Sequence, residues 1–260
     1  MQGNLKSSKT DPNEVIHIDC VTKQFGATIA VAPTSLTINR GEQVALLGPS
    51  GSGKTTLLLM LCGQTQPTSG KIFINKRNLS SIRAGKDLAH QVGMIHQQFD
   101  LIPQLSALYN VLAGRLGQWG VMKTLLSLFW PLDKELAMSA LRRVGVVEKS
   151  QIRAGFLSGG EQQRIAIARL LVQDPAVILA DEPVASLDPT RAREIIHLLV
   201  DVATEAERTL VASIHSVDLA SRYFSRLIGI RNGIIKFDIP AKQITESMLD
   251  DLYNLDGLHQ

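Results

Sequence analysis

The stretch Gly48-Pro49-Ser50-Gly51-Ser52-Gly53-Lys54-Thr55 matches the phosphate-loop pattern G-x-x-x-x-G-K-[ST] at every fixed position. Residues 44–47 before it are apolar and predict a strand, and residues 56–61 after it, starting with Thr56, are compatible with a helix. A strand, a glycine-rich loop and a helix in this order are the context in which the pattern indicates a real site. The stretch therefore predicts a strand–loop–helix unit that binds a nucleoside triphosphate.

The residue types of this loop suit phosphate binding. Glycines let successive backbone N–H groups turn toward phosphate oxygens, and the start of a helix adds a partial positive charge. Lys54 can reach the β- and γ-phosphates, and the Thr55 hydroxyl can bind Mg²⁺. We therefore expect residues 48–56 to hold ATP together with Mg²⁺.

The composition is that of a chain able to bury a large core. Of the 260 residues, 45% are hydrophobic, and 27 Lys and Arg stand against 24 Asp and Glu, for a net charge of +3. This excess is small and no basic block stands out, which argues against nucleic acid as the main partner. Cys20 and Cys62 form no C-x-x-C pair, so the sequence favours a reducing cytosol over a disulfide framework or a zinc site.

The sequence carries no secretory or membrane-spanning signal. Residues 1–13 are polar and predict a flexible tail. No stretch reaches the roughly 18 apolar residues needed to span a bilayer. The nearest, residues 121–132, is interrupted by Lys123, Ser127 and Pro131. We expect a chain that does not cross a membrane by itself but is able to dock on a protein that does.

Two kinds of strand are predicted. Alternating apolar residues at 15–18, 35–38 and 71–74 predict half-buried strands, which we interpret as an antiparallel β subdomain. Continuous apolar runs at 44–47, 177–180 and 210–214 predict buried parallel strands, separated by helical patterns that include 162–173 and 191–203. Strands that alternate with helices indicate an α/β core with right-handed crossovers.

A third region has a mostly helical pattern. Helices are predicted at 105–116, 122–129 and 134–144, within about residues 87–158. The expected fold is thus an α/β phosphate-loop ATPase core, with a mixed sheet and an antiparallel β subdomain, plus a helical subdomain. We expect the ATPase domain to span 14–240, with the helical subdomain at about 87–158 and a C-terminal helical tail at 241–260.

An acidic pair lies where the phosphate loop predicts one. The apolar strand 177–180 is followed directly by Asp181 and Glu182. In phosphate-loop ATPases an acid at this strand end holds Mg²⁺ through its water shell, facing the loop hydroxyl, and that role suits Asp181. Glu182 is placed to polarise a water for in-line attack on the γ-phosphate. Two buried acids without a purpose would be costly to desolvate.

The stretch Leu157-Ser158-Gly159-Gly160-Glu161-Gln162-Gln163-Arg164 has the pattern of a capped helix start that is open to an anion. Ser158 is a good N-cap, and the glycines leave backbone N–H groups accessible. The stretch resembles the signature of ABC-type ATPases, and it lies between the phosphate loop and the acid strand as in that family. The resemblance extends over about residues 14–230.

Further residues match the family in the correct order. Gln97, after the strand 92–95, is similar to the Q-loop glutamine. Residues 185–188, which end in Asp188, resemble the D-loop, and His215 resembles the switch histidine. Phe25 lies where an aromatic ring usually stacks on adenine. Alone, Phe25 would be read as core, Gln97 as a surface amide and His215 as a strand-end histidine.

The resemblance implies a mechanism that needs two copies of the domain, paired head to tail. The signature of one copy, residues 158–161, would contact the γ-phosphate of ATP held by the partner's phosphate loop. Glu182 would be the general base, and His215 would hold the γ-phosphate and orient the water. Gln97 would touch Mg²⁺ and that water, and Asp188 would help to fasten the two copies. An identical partner is expected, at the cytoplasmic face of a bacterial inner membrane.

A narrower resemblance concerns the transported substrate. Residues 93–103, 110–117 and 180–189 look most like the ATPase subunits of phosphonate or related phosphorus-oxyanion importers. That implies transmembrane permease subunits and, indirectly, a solute-binding protein. His96 departs from those relatives, which usually carry Phe there. The segment 119–130, with a Trp at each end, is equally compatible with packing on a permease and with subdomain core.

Other functions remain open from the sequence. An ATPase for amino acids or another solute, or one for an exporter or lipoprotein-release system, would carry the same motifs. A chromosome or DNA-repair ATPase would insert a long coiled coil between loop and signature, and only about a hundred residues without sustained heptads separate Lys54 from Ser158. A translation-associated member would carry two motif sets, and this chain has one.

Overall fold

The computed structural model describes residues 13–83, 85–119, 132–185 and 187–253. The strands in these ranges are β1 (Glu14–Phe25), β2 (Thr28–Asn39), β3 (Gln43–Leu47), β4 (Ser69–Ile74), β5 (Arg77–Asn78), β6 (Val92–Ile95), β7 (Val177–Asp181), β8 (Thr209–Ser213), β9 (Arg226–Arg231) and β10 (Ile234–Pro240). The α-helices are α1 (Lys54–Leu61), α2 (Lys86–Gln91), α3 (Ala107–Leu112), α4 (Lys134–Arg143), α5 (Gly159–Gln173), α6 (Pro189–Glu205), α7 (Val217–Tyr223) and α8 (Glu246–Tyr253).

The strands of the described residues form two sheets. A six-stranded sheet has the order β10-β9-β3-β8-β7-β6, and a four-stranded sheet has the order β2-β1-β4-β5. In the larger sheet β9, β3, β8, β7 and β6 run parallel, and β10 is antiparallel to β9. The smaller sheet is antiparallel throughout. The predicted mixed sheet and antiparallel β sheet are confirmed.

The parallel register brings functional residues to one edge of the larger sheet. Ser213 at the end of β8 is paired with Leu46 of β3 on one side and with Asp181 of β7 on the other. Ile95 of β6 is paired with Ala180. The carboxyl ends of these strands therefore lie side by side, where ligands bind in open α/β sheets.

Strands β3, β7 and β8 of the larger sheet are buried on both faces, which is why they are continuous apolar runs. Side chains alternate along β7: Val177 and Leu179 join one apolar core with α1 and the smaller sheet. Ile178 and Ala180 join the other core, with helices α3 to α6. The strand ends that carry the site are thus held by an apolar core on each face of the sheet.

Several helices begin at a residue that caps them. The side chain of the residue before the helix accepts a backbone N–H of the first turn at Ser106 (α3), Ser158 (α5), Asp188 (α6) and Ser216 (α7). These caps satisfy N–H groups that lack partners within the helix. The predicted helix 105–116 therefore starts only at Ala107, and from Ala113 it continues as a 3₁₀-helix to Gln118.

The hairpin β9–β10 was not predicted, although its turn carries a signal. Asn232 and Gly233 have φ values of +52° and +74°, the left-handed conformations that an Asn-Gly hairpin turn requires. The predicted helix at 134–144 is confirmed as α4, whereas 122–129 lies outside the described residues. Among the described residues, no helix combines the length and apolarity needed to cross a membrane.

Candidate active site

The phosphate loop connects the end of β3 to the start of α1. Gly48 has a φ of +146° and Gly53 a φ of +105°. A Cβ atom on Gly48 would lie 2.0 Å from the carbonyl oxygen of Ile230, and one on Gly53 would lie 2.3 Å from that of Ala30. Glycine is therefore required at both positions, because the loop packs directly against the backbone of β9 and β2.

A hydrogen bond from the β9–β10 turn holds the protein-facing side of the loop. The backbone N–H of Gly233 donates to the Ser52 carbonyl oxygen at 2.9 Å, and the Gly233 carbonyl accepts from Ala32 N–H at 2.9 Å. Ser52 is buried, whereas Ser50 and Thr55 are exposed. The supported side of the loop faces the protein and its other side is accessible to a ligand.

Lys54 is a buried cation held inside the loop, with only 4% of the residue exposed. Its Nζ donates to the carbonyl oxygens of Gly48 at 2.8 Å and Pro49 at 2.9 Å. Burial lowers the pKa of Lys54, and the carboxylates of Glu182 and Asp181 act in the opposite direction. The ammonium group thus lies among loop carbonyls and near two acids, at a place that would attract phosphate.

Asp181 lies at the end of β7 and is 7% exposed. Its Oδ1 accepts hydrogen bonds from the Thr55 hydroxyl at 3.0 Å and the Ser213 hydroxyl at 2.7 Å. The predicted pairing of this acid with the loop hydroxyl is thus present in the structure. Three elements, α1, β7 and β8, converge on one carboxylate oxygen.

Ser213 is a site residue that sequence reasoning missed. Besides donating to Asp181, its hydroxyl accepts the backbone N–H of Glu182 at 2.8 Å. It is fully buried. The signal available in the sequence was a hydroxyl near the end of the otherwise apolar run 210–214; the structure shows that this strand lies beside β7. Ser213 sets the relative position of the two acids.

The side chains of Glu182 and His215 are in contact, with Glu182 Oε1 2.6 Å from His215 Nε2. Glu182 has a φ of +47°, which turns the chain sharply away from the β7 direction. The pair borders a cavity of about 460 Å³ that extends along the start of α6 and is also lined by Leu187 and Arg193. The geometry places a carboxylate and an imidazole together beside the acid strand.

Gln97 is exposed and lies in the turn after β6, next to β7 in the sheet. The following residues, Phe99 and Asp100, have φ values of +60° and +47°. Their carbonyl oxygens accept hydrogen bonds from the Arg169 guanidinium of α5, at 2.8 Å and 2.6 Å. We call residues 97–100 the Q-loop corner. His96, just before it, lies 3.4 Å from the Asp100 carboxylate (Nε2 to Oδ2).

The signature residues form the start of α5. Ser158 Oγ accepts the Glu161 backbone N–H at 3.4 Å, and Glu161 Oε2 accepts the Ser158 N–H at 2.8 Å. This reciprocal cap lowers the pKa of Glu161, chiefly through the Ser158 backbone N–H. Ser158 and Gly159 are exposed. In the described part of the chain these bonds are local to the helix start, which leaves its outer surface open to a partner.

Two further predicted residues are exposed. Asp188 caps α6, where its Oδ1 accepts the backbone N–H groups of Thr190 and Arg191 at 3.1 Å each. Phe25 ends β1 with 54% exposure, and Lys23 Nζ lies 4.8 Å from its ring centroid. An exposed ring is available for stacking on adenine, which stays a prediction. The structure thus brings the phosphate loop, the acid strand and His215 to one sheet edge.

Comparison with known proteins gives the same picture. The family model described as ABC transporter matches residues 31–185. A Pseudomonas putida protein named Phosphonates import ATP-binding protein PhnC is 43% identical over 246 residues, covering 94% of this chain and 91% of that protein. A Lactococcus lactis protein of the same name is 38% identical over 247 residues, covering 94% of this chain and 100% of that protein.

Solved structures resemble this fold over most of its length. A dimeric ATP-binding cassette bound to ADP and Pi, in a post-hydrolysis state, is 30% identical with a TM-score of 0.76, covering 88% of this chain and 100% of that chain. A part of an ABC transporter complex from Clostridium perfringens is 25% identical with a TM-score of 0.76, covering 92% of this chain and 94% of that chain. Both the sequence and the backbone therefore match ATP-binding cassettes.

Proposed function

Because the chain belongs to the ABC transporter family of ATP-binding proteins, we propose that it is the ATP-hydrolysing subunit of an importer for phosphonate or a related phosphorus oxyanion. The observation that carries this proposal is the 43% identity, over nearly the full length of both chains, to a protein named for phosphonate import. A second relative of the same name supports it.

We propose that Lys54 and the loop amides hold the β- and γ-phosphates. The Nζ atom lies under the loop, bonded to the Gly48 and Pro49 carbonyls, so a small movement of a flexible side chain directs it to a phosphate oxygen. A positive charge at this depth is opposed by desolvation and favoured by an anionic ligand. Binding of ATP would therefore satisfy a cation that burial disfavours.

The oxygens of Thr55 and Asp181 fit Mg²⁺ bound with ATP. A hydroxyl and a carboxylate oxygen 3.0 Å apart are the hard ligands that this ion prefers. Groups of three or more His, Cys, Asp or Glu side chains that could cage a metal are absent from the described residues. This agrees with an ion held by few protein groups and the phosphates of its nucleotide. The ion would neutralise phosphate charge, and Gln97 is a further candidate ligand.

Glu182 is proposed as the general base and His215 as the residue that orients it. The 2.6 Å contact joins His215 Nε2 to Glu182 Oε1, while Ser213 holds the Glu182 backbone from the other side. A glutamate held at its backbone N–H and at one carboxylate oxygen is suited to accept a proton from water in a defined direction. The imidazole can then donate to the γ-phosphate oxygens.

The signature is proposed to act on a second copy of this chain. Ser158 and Gly159 are exposed at the start of α5, and a helix N-terminus with open N–H groups attracts phosphate. The related cassette with ADP and Pi is dimeric. We infer a head-to-tail dimer in which each signature closes on the ATP of the partner, with Asp188 at the contact.

Permease subunits at the cytoplasmic face of a bacterial inner membrane are the proposed second partner. Gln97 would transmit the state of the nucleotide to the rest of the Q-loop corner. Phe99 and Leu101, which are partly buried, pack against the apolar core there. These side chains would border a groove for a short permease helix. A solute-binding protein would then deliver the substrate from outside the cell.

A growth experiment tests the substrate class. A strain that lacks this gene and has no redundant transporter is supplied with a phosphonate or phosphite as its sole phosphorus source. We expect growth to fail on these sources and to continue on inorganic phosphate, with rescue by the wild-type gene and not by a Lys54→Ala copy. Undiminished growth would contradict the proposal. An equal defect on amino acids would instead indicate another importer class.

A further inference from the structure

The phosphate loop has a hydrogen bond to the C-terminal helix that the roles above do not use. The backbone N–H of Gly48 donates to the Tyr253 hydroxyl over 3.2 Å. Gly48 is the first residue of the loop, and its carbonyl oxygen accepts the bond from Lys54 Nζ. The residue that holds the phosphate-binding lysine is therefore itself held from α8, some two hundred positions along the chain.

Helix α8 is anchored by an apolar contact and by a hydrogen bond near Tyr253. Leu252 is fully buried in the apolar core that contains helices α3 to α6, and the Tyr253 ring packs against that core. Arg231 Nη1 donates to the Asp251 carbonyl oxygen at 2.5 Å. Arg231 ends β9, just before the turn in which Gly233 N–H supports the loop at Ser52. The last turn of α8 thus contacts both the loop and the turn beneath it.

Burial and the contact with Gly48 act on the pKa of the Tyr253 phenol in opposite directions. Burial raises the pKa of Tyr253, and the hydrogen bond from Gly48 acts in the opposite direction. A neutral hydroxyl accepts the N–H and retains a proton of its own. The hydroxyl therefore accepts the Gly48 N–H through an oxygen lone pair while it keeps its own proton.

We propose that Tyr253 is a positioning residue for nucleotide binding: its hydroxyl fixes Gly48 and makes ATP affinity depend on the docking of α8. Because such coupling is reciprocal, ATP held in the loop strengthens the docking of α8 by the same factor. The C-terminal helix is then a nucleotide-responsive element. This rests on ATP binding by the loop and is independent of the transported substrate.

The first test is Tyr253→Phe in the purified full chain, which removes one oxygen and keeps the packed ring. A single neutral hydrogen bond predicts a roughly two- to ten-fold rise in the Kd for ATP. Tyr223→Phe is the matched control, since its ring packs on the same core beside His197, and it should bind ATP as the wild type does. Thermal unfolding of both variants checks that the fold is kept. An unchanged Kd for Tyr253→Phe overturns the proposal.

The second test measures the reverse effect, that of ATP on the docking of α8. Hydrogen exchange of the α8 amides is measured on wild type and Tyr253→Phe, with and without ATP. We expect ATP to slow exchange in wild-type α8 by the same two- to ten-fold range, and to have less effect in the variant. Exchange that ATP leaves unchanged in the wild type overturns the proposal, even where the variant is destabilised. A wild-type chain that binds no ATP would refute the proposed function instead.

Discussion

The side chains of Glu182 and His215 lie 2.6 Å apart, and the backbone N–H of Glu182 donates to the Ser213 hydroxyl. At the scale of single residues, the two acids of the site differ in the partners that hold them. Asp181 has two hydroxyl donors on one oxygen, whereas Glu182 contacts the His215 imidazole through one carboxylate oxygen. This difference is consistent with the roles that we propose, in which Asp181 holds Mg²⁺ and Glu182 accepts the proton.

Glu182→Gln tests that assignment. We expect turnover to fall by about 10²–10⁴-fold, the usual contribution of a general base. ATP binding should persist, because Lys54, Thr55 and Asp181 remain, and the ATP-bound dimer should accumulate in size-exclusion runs with Mg²⁺. The control Glu205→Gln removes an exposed carboxylate at the end of α6 that pairs with Arg143, and it should hydrolyse ATP normally. Near wild-type turnover in Glu182→Gln would remove Glu182 from the base role.

At the scale of elements, the Q-loop corner is joined to the signature helix by one side chain. Arg169 projects from α5 and donates to the carbonyls of Phe99 and Asp100, both in left-handed conformations. Such conformations in residues other than glycine need support from their surroundings. Burial lowers the pKa of Arg169, and the Asp100 carboxylate opposes that shift. The guanidinium thus links the Q-loop corner to the helix that begins after Ser158.

Arg169→Gln should release this corner. Loss of charge-assisted hydrogen bonds predicts a free energy of unfolding lower by about 1.5–3 kcal/mol, measured by denaturant titration. Residues 97–105 should also exchange their amide hydrogens faster. Arg143→Gln is the control, because Arg143 makes an ion pair with Glu205 between exposed side chains, and it should cost less than about 1 kcal/mol. Equal losses in the two variants would refute a special role for Arg169.

The elements that the sequence predicted correctly are those with a strong local pattern. β3, β7 and β8 are continuous apolar runs, and α5 has a glycine-rich capped start, so their types follow from short-range rules. The hairpin β9–β10 was missed because its strands differ: β9 is buried, while β10 alternates between exposed and half-buried residues. Which helix would reach the phosphate loop depends on tertiary packing, and the contact of Tyr253 with Gly48 has no local signal.

The same distinction holds for the candidate site. Lys54, Thr55 and Asp181 were predicted from spacing and strand ends, and the structure places Thr55 against Asp181. Ser213 and Arg169 were missed, because their roles consist of bonds to backbone or to residues distant in sequence. The roles of Glu182, Gln97 and the signature residues stay predictions.

At the scale of the whole molecule, the groups proposed to bind ATP and the signature proposed to close on a partner's ATP lie in different parts of the chain. The phosphate loop and acids occupy the carboxyl edge of the larger sheet, whereas Ser158 starts α5 with bonds local to its own turn in the described residues. A cavity of about 260 Å³ at that helix start is lined by Ser158, Gly160 and Arg191. A second copy placed head to tail would bring its phosphate loop to this surface, as we infer for the functional dimer.

Ser158→Arg, made in the Glu182→Gln background, tests whether that surface closes on a partner. The long cationic side chain should block dimer formation with ATP and leave ATP binding by the single chain unchanged. Ser158→Ala is the matched control: both changes remove the same cap, at a cost of about 1 kcal/mol, but alanine adds no bulk. Light scattering after size exclusion should therefore show monomers for the arginine variant and dimers, weakened at most by the lost hydroxyl, for the alanine variant. If the arginine variant dimerises as well as its parent, the signature surface is not the contact, and the head-to-tail arrangement must be replaced by another interface.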